Sequence, residues 1–251
     1  MLTDRIHHIR VERGNVAVFW LGQAGFLFKT ADGTIVMIDP YLSDCCERYF
    51  GFKRLMPHML RPDEIQPDIL IATHAHYDHF DPDSVPALLT SGAKLIAAKD
   101  CAAECERLGI STQSVRFIGA GDTVTERDVT VTAKPCDHGE QIPDAIALLL
   151  EVDGKRIYIA GDTSFRPDYL SAPDLQNPDL AILPINGAFG NMDEEQAARA
   201  AAVMKPELTI PCHFWNFAEH GGNPGLFAEH MKELAPDILY NILPMGGYTS
   251  I

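Results

Sequence analysis

Long apolar runs are missing from this chain. No segment of the 251 residues approaches the ~20 consecutive apolar residues of a membrane span, and the stretch from Met1 to His8 lacks the apolar centre of a secretion signal. A soluble, cytoplasmic protein with no membrane partner is therefore expected. Basic residues are scarce too: 20 Lys and Arg stand against 35 Asp and Glu, for a net charge of -15. Binding nucleic acid through its phosphates calls for a basic stripe, and nothing larger than pairs such as Lys53-Arg54 is present. This argues against a nucleic-acid partner and leaves a small-molecule substrate. The acidic excess reads as a solubility device, and a homo-oligomer is compatible with it.

Cysteine is too sparse for a disulfide framework. The cysteines at positions 45, 46, 101, 105, 136 and 212 are expected to be reduced thiols in a chain without an apparent secretion signal. Cys101 and Cys105 are spaced for one helix face and read as core. Short-period repeats and low-complexity linkers are absent as well. What is plentiful is hydrophobic residue, 46%, enough for a sizeable core in a single domain, residues 1–251, of two similar halves, roughly 1–140 and 141–251.

The chain is organised around Thr73-His74-Ala75-His76-Tyr77-Asp78-His79. The preceding run, Asp68-Ile69-Leu70-Ile71-Ala72, is short, apolar and β-branched, so it predicts a buried strand that ends at the histidines. Side chains two apart on an extended segment share a side, so His74 and His76 can approach one ion while Asp78 and His79 point past it. Such spacing suits two adjacent metals and has no ready structural explanation.

Elsewhere the patterns alternate strands and helices. Val16–Trp20, Gly25–Lys29 and Thr34–Ile38 predict a meander with a hairpin at Asp32-Gly33. Residues 41–67 lack periodicity and read as a long loop over the site, a candidate lid with aromatic and basic residues. Helices are predicted from Asp81 to Ser91, from Asp100 to Leu108, from the capping box at Asp193 to Met204, and from Asn223-Pro224 to Leu234. Intervening strands are predicted at Lys94–Ala97, Val115–Ile118, Val129–Lys134, Ala145–Val152, Arg156–Ala160, Leu180–Pro184 and Leu208–Pro211, with a last one at Ile238–Leu243. This alternation gives an α/β layered class. Asp39 at a strand end can orient a metal-bound histidine or can initiate a turn before Pro40.

The H-x-H-x-D-H motif resembles the signature of the metallo-β-lactamase fold superfamily. The likeness continues through Asp39 in Ile38-Asp39-Pro40, His138 in Cys136-Asp137-His138-Gly139, Asp162 in Ala160-Gly161-Asp162-Thr163 and His213 in Pro211-Cys212-His213. Trp20-Leu21-Gly22-Gln23-Ala24-Gly25 and Pro211 to Phe217 are most similar to the L-ascorbate-6-phosphate lactonase branch. The resemblance implies a four-layer αββα sandwich. It also implies two divalent ions, zinc or manganese, with His74, His76 and His138 on one, Asp78, His79 and His213 on the other, Asp162 bridging and Asp39 behind. Asp137 competes with His138 for the third motif. Two such ions activate water and polarise a carbonyl or phosphoryl oxygen, and Asp78 is placed to orient the nucleophile or take its proton.

The implied reaction is hydrolysis of a small soluble ester, a lactone first of all. Phosphoester hydrolysis on the same site and a metal-braced binding protein without turnover are the alternatives. Lys53, Arg54, Arg166 and His220 are the candidate contacts for a substrate phosphate, and Trp215, Asn216 and His220 are placed to line the pocket.

Overall fold

Near-continuous apolar runs, the mark of strands covered on both faces, build the centre of the molecule. The computed structural model describes residues 1–251 and sorts the strands into two seven-stranded sheets. The first six strands are β1 (Ala17–Gly22), β2 (Gly25–Lys29), β3 (Ile35–Ile38), β4 (Ile69–Ala72), β5 (Lys94–Ala98) and β6 (Val115–Ile118). The next seven are β7 (Thr123–Glu126), β8 (Val129–Pro135), β9 (Ile146–Val152), β10 (Lys155–Ile159), β11 (Leu180–Pro184), β12 (Leu208–Cys212) and β13 (Leu239–Tyr240). A last strand, β14 (Tyr248–Ser250), returns to the first sheet, whose order is β14-β1-β2-β3-β4-β5-β6; the second runs β13-β12-β11-β10-β9-β8-β7.

The two sheets repeat one plan. Pairing is antiparallel from β14 to β3 and from β7 to β10, then parallel from β3 to β6 and from β10 to β13. Parallel neighbours need crossovers, and these carry the helices. After α1 (Leu2–His8) and α2 (Cys45–Phe50), the first sheet takes α3 (Ser84–Leu89) and α4 (Cys101–Arg107); the second takes α5 (Pro167–Leu170), α6 (Glu194–Met204) and α7 (Pro224–Leu234). The result is the αββα sandwich. A single cluster of 64 buried residues joins side chains of both sheets, among them Trp20, Phe26 and Leu70 with Leu148, Ile159 and Ile182.

Three expectations need correction. The division between the halves falls between Ile118 and Thr123 and not near 140, because β7 and β8 already pair with β9 in the second sheet. The last predicted strand shortens to Leu239–Tyr240, and the chain then turns back through Gly246 and Gly247 to place β14 on β1. The segment 41–67 contains α2 and is tied down. Asp81, fully buried, accepts the backbone N–H of Leu42 (3.0 Å) and Ser43 (2.9 Å), and Arg54 donates to the Tyr41 and Ser43 carbonyls with its guanidinium 4.0 Å from the Tyr41 ring centroid.

Candidate metal centre

The ends of the central strands, where the two sheets face each other, deliver the side chains with metal-binding chemistry. His74, His76, Asp78 and His79 follow β4; His138 follows β8, Asp162 follows β10 and His213 follows β12. Rigid strand ends hold such groups more tightly than free loops do. Gly161, at φ +62, lets the chain turn against β9, since a Cβ there would lie 3.1 Å from the Ile146 carbonyl oxygen. That turn aims Asp162 inward.

The imidazoles of His74, His76 and His138 form one group, with His74 Nε2 at 3.0 Å and His138 Nε2 at 3.1 Å from His76 Nδ1. Beside it, Asp162 Oδ1 lies 3.2 Å from both His79 Nε2 and His213 Nε2, while its Oδ2 lies 3.9 Å from His138 Nε2. Asp78 Oδ2 completes this side at 3.3 Å from His213 Nε2. Asp162 therefore faces both groups, one oxygen to each.

Partners behind the cluster fix its orientation. Asp39 accepts from the Thr73 N–H (2.8 Å) and hydroxyl (2.6 Å) and faces His79 Nδ1 at 2.8 Å, which leaves His79 Nε2 turned to the centre. Asp100 accepts the Ala75 N–H at 3.0 Å and pins the histidine loop. Gln23 comes from the β1–β2 turn; its amide nitrogen lies 2.7 Å from Asp78 Oδ2 and 3.2 Å from His220 Nδ1. Gln23, Asp39 and His213 all hold left-handed backbone, at φ 51, 47 and 61. Strain in non-glycine residues concentrates at functional sites, and here it sits on the residues that shape this one.

Electrostatics divides the histidines into two kinds. Burial, then the neighbouring imidazoles, pushes His74 well below its ordinary value, and burial also lowers His76 and His138, so this group is neutral and ready to donate lone pairs. Burial would lower His79 and His213 as well, but the Asp162 and Asp78 carboxylates outweigh it. They raise His79 well above its ordinary value and His213 to about 9. For Asp78 and Asp162 burial acts upward, yet His79 and His213 hold both carboxyls well below the usual range.

The donor set fits a metal. His79 Nε2 and Asp162 Oδ1 are buried and make no hydrogen bond although they face each other. Three imidazole nitrogens about 3 Å apart cannot all be satisfied by protons, whereas tetrahedral ligands ~2.0–2.1 Å from a zinc ion stand roughly 3.3 Å from one another. Nitrogen and carboxylate ligands without cysteine also leave coordination open to water, unlike closed structural zinc sites.

The structure brings together His74, His76, Asp78, His79, His138, Asp162 and His213, with Asp39 behind them. Asp137 is engaged elsewhere: it accepts from Arg166 (2.9 Å) and Ser164 (3.0 Å) and belongs to none of the candidate metal groups. Accordingly, His138→Ala should lower the metal content measured at saturation, and Asp137→Ala should leave it unchanged. The reverse outcome would transfer the ligand role to Asp137.

The expected pocket residues fare differently. His220 lines the cavity and groups with Asp78 and His213. Trp215 is 54% exposed and rests edge-on against Phe214, its left-handed backbone (φ 61) carrying it outward. Asn216 is buried beneath the 41–67 segment, where its backbone carbonyl accepts from Leu55. Arg166 is spent on Asp137 and Asp168. These three do not line the cavity. Gln23 was legible only as part of the Trp20–Gly25 motif; nothing in a neutral amide announces a role beside metal ligands.

Residues 17–213 match the family model described as a beta-lactamase superfamily domain. The chain belongs to that superfamily. UPF0173 metal-dependent hydrolases are similar along nearly their whole length: that of Methanosphaerula palustris is 32% identical over 242 residues, 92% of this chain and 98% of the relative. That of Methanopyrus kandleri is 29% identical over 238 residues, 91% of this chain and 97% of the relative. Igni18, a metallo hydrolase of Ignicoccus hospitalis, shares the fold with a TM-score of 0.73 at 23% identity, covering 94% of this chain and 98% of its own. This beta-lactamase superfamily member is a metal-dependent hydrolase, and the His and Asp groups above are its candidate metal ligands.

Proposed function

We propose that the chain hydrolyses a small, soluble, uncharged ester, a lactone in particular, with two divalent ions held between the sheets. One observation carries the reading: a cavity of about 460 Å³ opens onto His76, Asp78, His138 and Asp162, and no Lys or Arg stands in its wall. Bound ions supply Lewis acidity and lower the pKa of water, which makes a nucleophile available near neutral pH. Zinc and manganese both suit a set of imidazoles and carboxylates.

The chain's own groups do the rest. Asp78, on the cavity wall and ionised, is placed to orient the attacking water and accept its proton at a carboxylate oxygen. Gln23 donates to Asp78 Oδ2, and its amide nitrogen also lies 3.2 Å from His220 Nδ1, an arrangement that favours the His220 tautomer with its proton on Nε2. Burial lowers His220 to about 4, so it is neutral at pH 7 and can donate from Nε2 to the substrate's developing oxyanion.

The absence of cationic side chains in the wall speaks against L-ascorbate-6-phosphate and against phosphoesters as substrates. Arg54 and Arg166, the arginines expected for a phosphate, are occupied by the Tyr41 and Ser43 carbonyls and by Asp137 and Asp168. Steady-state assays of the zinc- or manganese-loaded protein on lactones, phosphodiesters and thioesters test the reading. Lactone turnover is the expected result; cleavage of RNA or DNA without turnover of any lactone would overturn it.

Metal loading should depend on pH with a definite sign. His74, His76 and His138 are already neutral, whereas His213, raised to about 9, must release its proton before it can ligate. Raising the pH from 6 towards 9 removes that competitor, so the weaker-binding ion should bind more tightly across the interval. The first ion should show little change. Calorimetric titration in buffers of different ionisation enthalpy reads the proton release directly, and a second affinity independent of pH would contradict this assignment.

A further inference from the structure

The wall of the cavity above the metal ligands is aromatic, and nothing said so far of ester hydrolysis requires that. Phe50, Phe52, Tyr77, Phe189 and Phe217 supply it, with the aliphatic Ile142 beside them. The rings form a continuous band: Tyr77 to Phe50 is 5.5 Å between centroids, Phe50 to Phe52 6.4 Å, Phe52 to Phe217 6.0 Å and Phe52 to Phe189 5.9 Å. Phe50 and Phe189 remain 58% and 61% exposed, so burial in the core does not account for them.

Phe189 also carries a backbone signal. It sits at φ 54, a left-handed conformation that is unfavourable for a bulky side chain, in the loop between β11 and α6. Its ring packs edge-on to His220 at 5.3 Å. The left-handed turn thus sets an aromatic ring against His220 in the cavity wall.

Charge is missing from the same surface. Apart from His76, Asp78, His138, Asp162 and His220 at the floor, the only polar side chain besides the Tyr77 hydroxyl and the Cys46 thiol is the neutral amide of Gln141. Arg107, whose guanidinium lies 5.5 Å from the Tyr77 ring centroid, is bound to Glu104 at 2.6 Å and does not line the cavity. An anionic group reaching away from the metals would meet aromatic faces and no cation, and would lose its hydration without compensation.

We infer that the substrate carries an uncharged aromatic or compact branched-alkyl group next to its scissile ester, seated between the Phe50–Phe52–Phe189 band and Ile142. This rests on the hydrolytic reading of the same site and specifies its substrate class. A cavity of about 460 Å³ has room for a small ring and one further ring-sized group.

Lactams test the inference, because they keep the ring and carbonyl of a lactone but resist hydrolysis. Calorimetric affinities of the metal-loaded protein are compared for pyrrolidin-2-one, its 5-phenyl derivative and its 5-(4-sulfophenyl) derivative. The phenyl compound should bind at least ~10-fold more tightly than the parent, and the sulfonate should cancel that gain. In Phe189→Ala and in Phe50→Ala, substitutions at exposed positions that the fold tolerates, the phenyl-to-parent affinity ratio should fall about threefold or more. Equal binding of parent and phenyl compounds, a sulfonate that binds as tightly as phenyl, or an unchanged ratio in both variants would overturn the inference. Binding is read apart from turnover, so tight binding of the phenyl lactam by a protein that opens no lactone would reject ester hydrolysis and leave the pocket assignment standing.

Discussion

On the two-ion reading proposed above, Asp162→Asn should reduce the metal content at saturation to one ion per chain or none, and should lower ester turnover by about 10³-fold or more. The carboxylate is 5% exposed, with Oδ1 at 3.2 Å from both His79 Nε2 and His213 Nε2 and Oδ2 turned to the His74–His76–His138 group. Asparagine keeps the shape and removes the charge. One of its two terminal atoms becomes an N–H donor aimed at imidazole nitrogens, which opposes ligation on that side. Elemental analysis of protein purified without chelators, alongside kinetics, decides the matter. Retention of two ions with near-normal turnover would remove Asp162 from the bridging position.

Asp78→Asn should lower kcat by about 10²–10⁴-fold and also weaken metal binding on the His213 side, because Asp78 is both a candidate ligand there and the group placed to handle a proton in the transition state. The fold should survive, since Asp78 meets Gln23 and His213 at the cavity wall and lies outside the apolar core. Gln23→Ala removes the amide that holds Asp78 and His220 and is expected to cost about 10-fold in metal affinity or turnover, the usual effect of losing a partner behind a ligand. If Asp78→Asn kept its wild-type kcat with a full metal complement, proton transfer would have to be assigned to another group.

How far these residues could be read from sequence depended on how local their signal is. His74 to His79 follow an apolar run at spacings of one and two, so both the strand and the ligands are visible in one short window. The turn at Asp32-Gly33, the capping box at Asp193 and the Asn223-Pro224 helix start are local in the same way; Asp193 accepts the Gln196 N–H at 2.8 Å, and Asn223 Oδ1 accepts the Gly225 N–H at 3.0 Å. β7 went unseen because Thr123–Glu126 is a half-exposed edge whose alternation is weakly apolar, and β14 because three residues carry no period. Arg54 reads as a surface cation in a polar loop, yet carbonyls brought to it by the fold of the lid draw it inward. Proximity in sequence misled at Trp215: two residues beyond His213, a left-handed backbone sends the side chain to the opposite side. Gln23 depends on an encounter across almost the whole chain, and no residue-type rule captures that.

The crossing of strands between sheets bears on how the protein comes into being. β14 completes the edge of the first sheet yet follows every ligand-bearing segment in the chain. A ribosome adding ~5–20 residues per second would release His79 on the order of ten seconds before His213. Through that interval the nascent first sheet presents β1 as an open edge, and its histidine loop lacks the carboxylate and imidazoles it will later face. Open edges invite pairing with other chains. The full set of candidate ligands therefore exists only once translation has passed His213, and a metal held by all of them would have to enter after the two sheets have closed on one another.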